Sequence, residues 1–314
     1  MKILFAGTPD VAAKTLQVLL DDPRFEQFEV VGVLTREDAP LGRKRVMTPS
    51  PVAAIAETAD IPTIKANRIF SQTESEIAAL GAELAVVIAY GVLLKQSTLD
   101  LMSKGWFNLH FSLLPQLRGA APVQRALIAG DRVTGVSLFK LDAGMDTGEI
   151  AGLVKTEIQP DETASDLLLR LRTLGDSLLA ECLPGLAAGT LKMVPQSTEG
   201  VSHAPKLTRS DAALDFTRSA VELENLVRGC NPEPMAHTVL GDLSLRILRA
   251  RATNLGSMDL EPGSLFVSAK RLYVACGKGQ LELIEVQPAG KNPMQAVDWA
   301  RGLALPAKLG GSNE

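Results

Sequence analysis

Two uninterrupted apolar runs set most of what this chain can fold into. Ile3-Leu-Phe-Ala6 follows Met1 and Lys2 directly, and Leu84-Ala-Val-Val-Ile88 recurs further on. Neither run alternates with polar residues, so both read as strands buried on both faces. The chain around the first run agrees. Gly7-Thr-Pro-Asp10 reads as a turn, and Val11 to Leu20 as a helix whose first turn suits Pro9 and Asp10. Val30 to Leu34 is the next strand. A strand–turn–helix–strand opening predicts an α/β fold, a Rossmann-like, doubly wound, mostly parallel sheet. Gly7 stands without the rest of a G-x-G-x-x-G pattern, so the scaffold is expected to hold no NAD.

Chemistry concentrates in two later stretches. Trp106 to His110 reads as a strand returning into Asn108-Leu-His-Phe-Ser-Leu-Leu-Pro-Gln-Leu-Arg-Gly-Ala-Ala-Pro122, a Pro- and Gly-rich loop ahead of a helix over Val123 to Ala129. In an extended segment Asn108 and His110 share one face. An amide and an imidazole on one face suit polarising a carbonyl oxygen and handling a proton. The second stretch, Leu141-Asp-Ala-Gly-Met-Asp-Thr-Gly-Glu149, follows a strand over Thr134 to Leu141. Asp146 is the carboxylate expected beside His110, orienting the ring and favouring its protonated form. A plain turn-capping role before Thr147-Gly148 is the alternative.

With 314 residues there is room for two domains. The net charge of −4 gives no global basic signature, so a nucleic acid would need a local patch. Arg43, Lys44 and Arg45 form one, inside Thr35 to Pro51, a Pro- and Gly-rich stretch with neither helical nor strand period. It reads as a long loop, either simply solvated or touching phosphates. Cys182, Cys230 and Cys276 are far apart and suggest neither a disulfide nor a metal site. No secretory leader and no bilayer-length apolar run is present, which points to the cytoplasm.

Further helices are expected over Val52–Ala59, Ser71–Leu80, Leu93–Lys104, Leu167–Leu186 and Val221–Cys230. Leu191 to Ala213 is polar and broken by Pro195, Gly200 and Pro205. Short strands follow around Gly241-Asp242, then over Gly263–Val267, Arg271–Cys276 and Gln280–Gln287. They predict a smaller β-barrel, OB-like domain, with an open sandwich as the rival. The expected division is a catalytic domain over 1–189, a linker over 190–208 and the barrel over 209–314.

The pattern N-x-H-x-S-L-L-P-x-x-R-G-A-A-P followed by D-x-G-x-D-T-G resembles the 10-formyltetrahydrofolate-dependent formyltransferases. The basic loop, with its G-R and P-S-P-V elements, and Gln287-Pro-Ala-Gly-Lys291 resemble the branch that acts on initiator methionyl-tRNA. Asn231-Pro-Glu-Pro-Met235 resembles that branch too, with Glu233 where it usually has Trp. The resemblance implies catalytic roles for Asn108, His110 and Asp146. It implies a folate wall at Ser112, Leu113, Leu114 and Pro115, joined by Tyr90 and Gly91 at the strand end; Tyr90 serves equally as a structural residue. It implies 10-formyltetrahydrofolate as co-substrate without a metal, and a monomer. For tRNA it implies Arg43 above all, with Lys44 and Arg45. Lys206 and Arg209 read as surface charges or a basic rim, and Arg118 as either a loop anchor or a contact to the tRNA end. Formyltransferases of small amines and a non-catalytic RNA-binding module are the rival readings.

Overall fold

A computed structural model describes residues 1–42, 44–256, 259–305 and 307–310. The elements run β1 (Lys2–Gly7), α1 (Asp10–Asp21), β2 (Glu29–Thr35), β3 (Ala39–Leu41), β4 (Val46–Thr48), α2 (Pro51–Thr58), β5 (Thr63–Lys65), α3 (Ser71–Ala79) and β6 (Leu84–Ile88). Then come α4 (Gln96–Leu99), β7 (Gly105–His110), α5 (Pro122–Ala129), β8 (Val133–Lys140), β9 (Ile150–Glu157) and α6 (Ala164–Ala188). The remainder is α7 (Ala220–Gly229), β10 (His237–Leu240), β11 (Leu243–Thr253), β12 (Ser264–Ser268), β13 (Arg271–Ala275), β14 (Gln280–Pro288), β15 (Met294–Gln295), α8 (Ala296–Ala300) and β16 (Ala307–Lys308).

The described residues divide into two compact units. The first comprises Met1–Pro122, Val133–Glu157 and Leu168–Pro205; the second comprises Val123–Arg132, Ile158–Leu167 and the chain from Lys206 onward. The first unit carries a seven-stranded sheet in the order β5-β2-β1-β6-β7-β8-β9. The strands from β5 to β7 are parallel, β8 is antiparallel to β7, and β9 is antiparallel to β8. This is the Rossmann-like, mostly parallel arrangement that the apolar runs imply. Ile3 to Ala6 and Leu84 to Val86 are almost wholly buried. On one face Leu4, Ala6, Leu34 and Ala85 pack with Ile77, Leu99, Met102 and Trp106.

In the second unit an antiparallel sheet runs β10-β11-β14-β13-β12-β16, with β15 added on β14. It curls into a nearly closed barrel. At the far end of the order, the Gly310 N–H donates to the Val239 carbonyl in β10 at 3.0 Å. Leu245, Ile247, Leu265, Leu272, Leu281 and Leu283 fill it, together with Leu223, Leu226 and Val227 of α7. That helix begins on a complete capping box of Ser219 and Glu222.

Two local expectations change. The stretch Thr35 to Pro51 is not without strand structure: Ala39–Leu41 and Val46–Thr48 pair as a small hairpin. Three-residue strands are too short to show an alternating period in sequence. Beyond them, Ser50 caps α2 by accepting the Ala53 N–H at 3.0 Å. The helix expected over Leu93–Lys104 shrinks to α4. Ser97 and Thr98 donate their hydroxyls to Glu74 at 2.6 and 2.7 Å, and the Thr98 carbonyl accepts the Trp106 indole N–H at 3.1 Å. Local side-chain partners of this kind compete with continued helix.

Residues 190–205, read as polar and broken, fold onto the first unit. Val194 and Ile150 exchange two backbone hydrogen bonds, of 2.8 and 2.9 Å.

Leu4 tests the dependence on the central strand. Leu4→Ala is expected to lower unfolding free energy by about 2–5 kcal/mol, measured by urea denaturation. A loss well under 1 kcal/mol would mean the sheet relaxes around the gap.

Candidate active site

β7 delivers the first two polar residues. Val87 of β6 lies beside Asn108, while Phe139 and Ser137 of β8 lie opposite Asn108 and His110. A strand paired on both sides keeps strict alternation, so Asn108 and His110 leave the same face. Asn108 is half-buried and His110 is 5% exposed. The imidazole meets Phe139 edge-on, with ring centres 6.3 Å apart and planes at 87°.

The two ring nitrogens have different neighbours. Nε2 lies 3.0 Å from the Leu117 carbonyl, an acceptor only, so this nitrogen carries a proton. Nδ1 faces Asp146 Oδ2 at 3.8 Å, an ion-pair distance only if the ring is charged. Burial pushes the His110 pKa down from the ordinary imidazole value, while the Asp146 charge and the Leu117 hydrogen bond push it back up by less. Asp146 thus favours the protonated ring, as the sequence reading expects, while burial opposes it. In the neutral tautomer that the Leu117 carbonyl selects, Nδ1 is the proton-accepting atom.

Asp146 sits in a turn that its own sequence builds. Asp142 Oδ1 accepts from the Gly144 N–H at 3.0 Å and from the Thr147 hydroxyl at 2.7 Å. A Cβ at position 148 would lie 1.7 Å from the Lys140 carbonyl oxygen, so only glycine fits. Asp146 itself has a φ of +54°, in the left-handed region. Its Oδ2 accepts the Gly119 N–H at 2.7 Å, which fixes the carboxylate on the loop that follows β7.

That loop is tied internally by serines. Ser112 donates its hydroxyl to the Gln116 carbonyl at 2.6 Å; Ser137 donates to the Ser112 carbonyl at 2.7 Å and accepts the Leu114 N–H at 3.0 Å. Of the residues expected to face a folate, Ser112 and Leu114 are buried and shape the loop, while Leu113 and Pro115 keep part of their apolar surface exposed. Tyr90 is buried, and its hydroxyl donates to the Ala66 carbonyl at 2.9 Å. Burial pushes that phenol up to about 12. Gly91 is exposed, with a φ of +78° and open space where a Cβ would stand. β6 and β7 are adjacent and parallel, so Gly91 and the Leu113–Pro115 loop emerge from one edge of the sheet. Apolar side chains and open backbone at such an edge fit a flat heterocycle.

A third segment, which carries no signature in sequence, straps both loops. Arg118 donates its N–H to the Ser202 carbonyl at 2.9 Å, and its carbonyl accepts from the Ala204 N–H at 2.7 Å. The Ser202 hydroxyl accepts the Leu117 N–H at 2.9 Å. Gln196 reaches Arg118 with its oxygen, at 2.6 Å from Nη2, and the carbonyls of Asp146 and Gly148 with its nitrogen.

Arg43 is outside the described residues. Lys44 and Arg45 are exposed on the hairpin turn, and Lys206 is exposed in the second unit. A cavity of about 600 Å³ in the first unit is lined by Leu20, Phe25, Phe28, Val30 and Ile61, at the opposite end of the strands from His110. Among the described residues no three His, Cys, Asp or Glu gather as a metal site.

Two family models match the chain: formyl transferase over residues 1–183 and formyl transferase, C-terminal domain, over residues 206–304. The chain belongs to the formyl transferase family. A methionyl-tRNA formyltransferase from Renibacterium salmoninarum is 47% identical over 97% of this chain and 97% of its own length. One from Paenarthrobacter aurescens is 47% identical over 98% of this chain and 99% of its own. Among solved structures, an N-formyltransferase from Helicobacter canadensis in complex with folinic acid and dTDP-3-aminofucose shares the fold. Its TM-score is 0.64 at 18% identity, over 90% of this chain and 98% of that one.

Gly119 tests whether this formyl transferase depends on the strap. It has a φ of +116°, and a Cβ there would lie 2.9 Å from the Ala204 carbonyl oxygen. Gly119→Ala is expected to cost about 1–3 kcal/mol of stability by urea unfolding, with activity falling as its N–H leaves Asp146. A variant of unchanged stability and activity would mean that the loop bends freely at this point.

Proposed function

We propose that the chain transfers the formyl group of 10-formyltetrahydrofolate to the α-amino group of methionyl-initiator-tRNA, giving formylmethionyl-tRNA and tetrahydrofolate for translation initiation. One observation carries the chemistry: a buried imidazole with one nitrogen on a backbone carbonyl and the other facing a loop-held carboxylate, with an amide on the same strand face. The near-full-length relatives named for methionyl-tRNA support the choice of acceptor.

Asn108, His110 and Asp146 have distinct tasks in this reading. Attack of the amine on the formyl carbon forms a C–N bond and leaves an oxyanion. Asn108 donates its amide N–H to that oxygen; losing such a donor costs about 2.7–4 kcal/mol of transition-state stabilisation. His110 takes the proton that the amine sheds, directly or through water, at Nδ1. The imidazolium so formed lies opposite the Asp146 carboxylate, which offsets its burial. His110 then delivers the proton to N10 of the folate as the N10–C bond breaks. General acid–base help of this kind contributes roughly a hundred- to ten-thousandfold.

Leu113 and Pro115 give the folate an apolar wall, with Ser112 and Leu114 setting the loop's shape and Gly91 leaving room at the strand end. Tyr90 holds that end from within. Arg43, Lys44, Arg45 and Lys206 meet tRNA phosphates. Residues 1–189 form the catalytic domain, 190–208 the linker and 209–314 the tRNA-binding barrel. The enzyme acts as a monomer in the cytoplasm; no helix among the described residues is long and apolar enough to cross a membrane.

The deciding experiment offers 10-formyltetrahydrofolate with either charged initiator tRNA or small primary amines. Formyl transfer confined to the tRNA supports the reading; transfer to small amines alone sinks it. Asn108→Ala should lower kcat by about a hundred- to a thousandfold while leaving tRNA affinity largely intact. Arg43→Ala should weaken tRNA use and reduce the salt dependence of binding by about one unit of slope. Unchanged tRNA kinetics in that variant would remove Arg43 from the interface.

A further inference from the structure

We infer that Gln196 is a positioning residue for formyl transfer, its single amide holding the Asp146 turn in register with the Arg118 loop. The inference rests on the reading above for the identity of the reaction, but its geometry stands on the chain alone.

Gln196 lies two residues beyond Val194, which is pinned to Ile150 by backbone bonds in both directions. From this anchored position the side-chain nitrogen donates to the Asp146 carbonyl at 2.9 Å and to the Gly148 carbonyl at 2.8 Å. Both of its N–H donors are thereby used. The side-chain oxygen accepts from Arg118 at Nε, 3.2 Å, and at Nη2, 2.6 Å. Each end of the amide therefore grips a different loop.

The two loops are also joined through the active carboxylate. Gly119, next to Arg118, donates its N–H to Asp146 Oδ2. The links close a ring: Asp146 carboxylate to Gly119, along the chain to the Arg118 side chain, to Gln196, and back to the Asp146 carbonyl. Asp146 needs such support, because its φ of +54° is a conformation that non-glycine residues rarely hold unaided. With the carbonyl fixed at one end and the carboxylate at the other, the side chain has little freedom to swing from His110 Nδ1.

An amide suits this place where a charged group does not. Carbonyl oxygens on the Asp146 side require a donor, and the guanidinium on the Arg118 side requires an acceptor. Glutamate would satisfy Arg118 alone and face two carbonyls with a carboxylate. This separates two explanations of the contact. If the bond to Arg118 is what matters, Gln196→Glu keeps the function. If the hold on Asp146 is what matters, Gln196→Glu fails along with Gln196→Ala.

The test uses the full-length protein and both variants. The chain has three histidines, so imidazole titrations by nitrogen NMR are resolvable. Asp146 is the charged side chain acting on His110. When it drifts away the upward pull on the ring weakens, so the His110 titration should move to lower pH in Gln196→Ala; in Gln196→Glu the new carboxylate adds an upward pull of its own, so kcat is the readout there. In formyl transfer to charged initiator tRNA, kcat should fall roughly ten- to a hundredfold in both, with KM for each substrate nearly unchanged. A wild-type His110 titration in Gln196→Ala overturns the inference, as does Gln196→Glu with wild-type kcat. If the wild-type protein forms no formylmethionyl-tRNA while the titration still shifts, the assigned acceptor fails and the positioning role of Gln196 stands.

Discussion

Removing an imidazole from water penalises its charged form, and this desolvation governs what the surroundings of His110 must provide. The ring is buried against Phe139 at the end of β7, with one nitrogen committed to the Leu117 carbonyl. A cation formed there has little solvent to turn to. The neighbouring carboxylate at 3.8 Å is close enough to stabilise a charge formed on the ring, against the pull of burial. A buried imidazole that burial and a carboxylate pull in opposite directions is suited to receiving a proton and passing it on, which is what exchange of an amide-like bond between two nitrogens requires.

Such a balance tolerates little displacement, and the neighbouring loops are built accordingly. Serine hydroxyls close the loop after β7, the Asp142 carboxylate closes the turn around Asp146, and one glutamine amide joins the two. Hydrogen bonds rather than solvent-exposed ion pairs fix position here. Glycine appears where the backbone of one segment presses on another, at Gly148 against Lys140 and at Gly119 against Ala204. The family motif therefore records backbone proximity as much as chemistry.

What the sequence made legible follows from where each interaction is encoded. The central strands are apolar runs, and burial on both faces follows from that pattern alone. Asn108 and His110 lie on one strand, so their shared face follows from a spacing of two. The carboxylate's pull on His110 is visible in sequence, while the depth of burial that opposes it is not. The β3–β4 hairpin and the shortened α4 depended on pairings too brief or too distant to leave a period. Gln196, Ser202 and Ser137 leave no local pattern for a related reason: each acts on a partner far along the chain, the first two from a polar stretch and Ser137 from within a buried strand.

The barrel's closing seam has its own consequence. β16 lies on β12, the Leu309 N–H donates to the Gly263 carbonyl at 2.8 Å, and Gly310 reaches Val239 on β10. Leu309 is also part of the apolar filling. The last few described residues thus act as a final stave. A chain cut just before Ala307 would leave β10 and β12 with unpaired backbone along their rims, and bare rims of that sort recruit strands from other molecules. Trimming what looks like an expendable tail is therefore a route to self-association rather than to a smaller working enzyme.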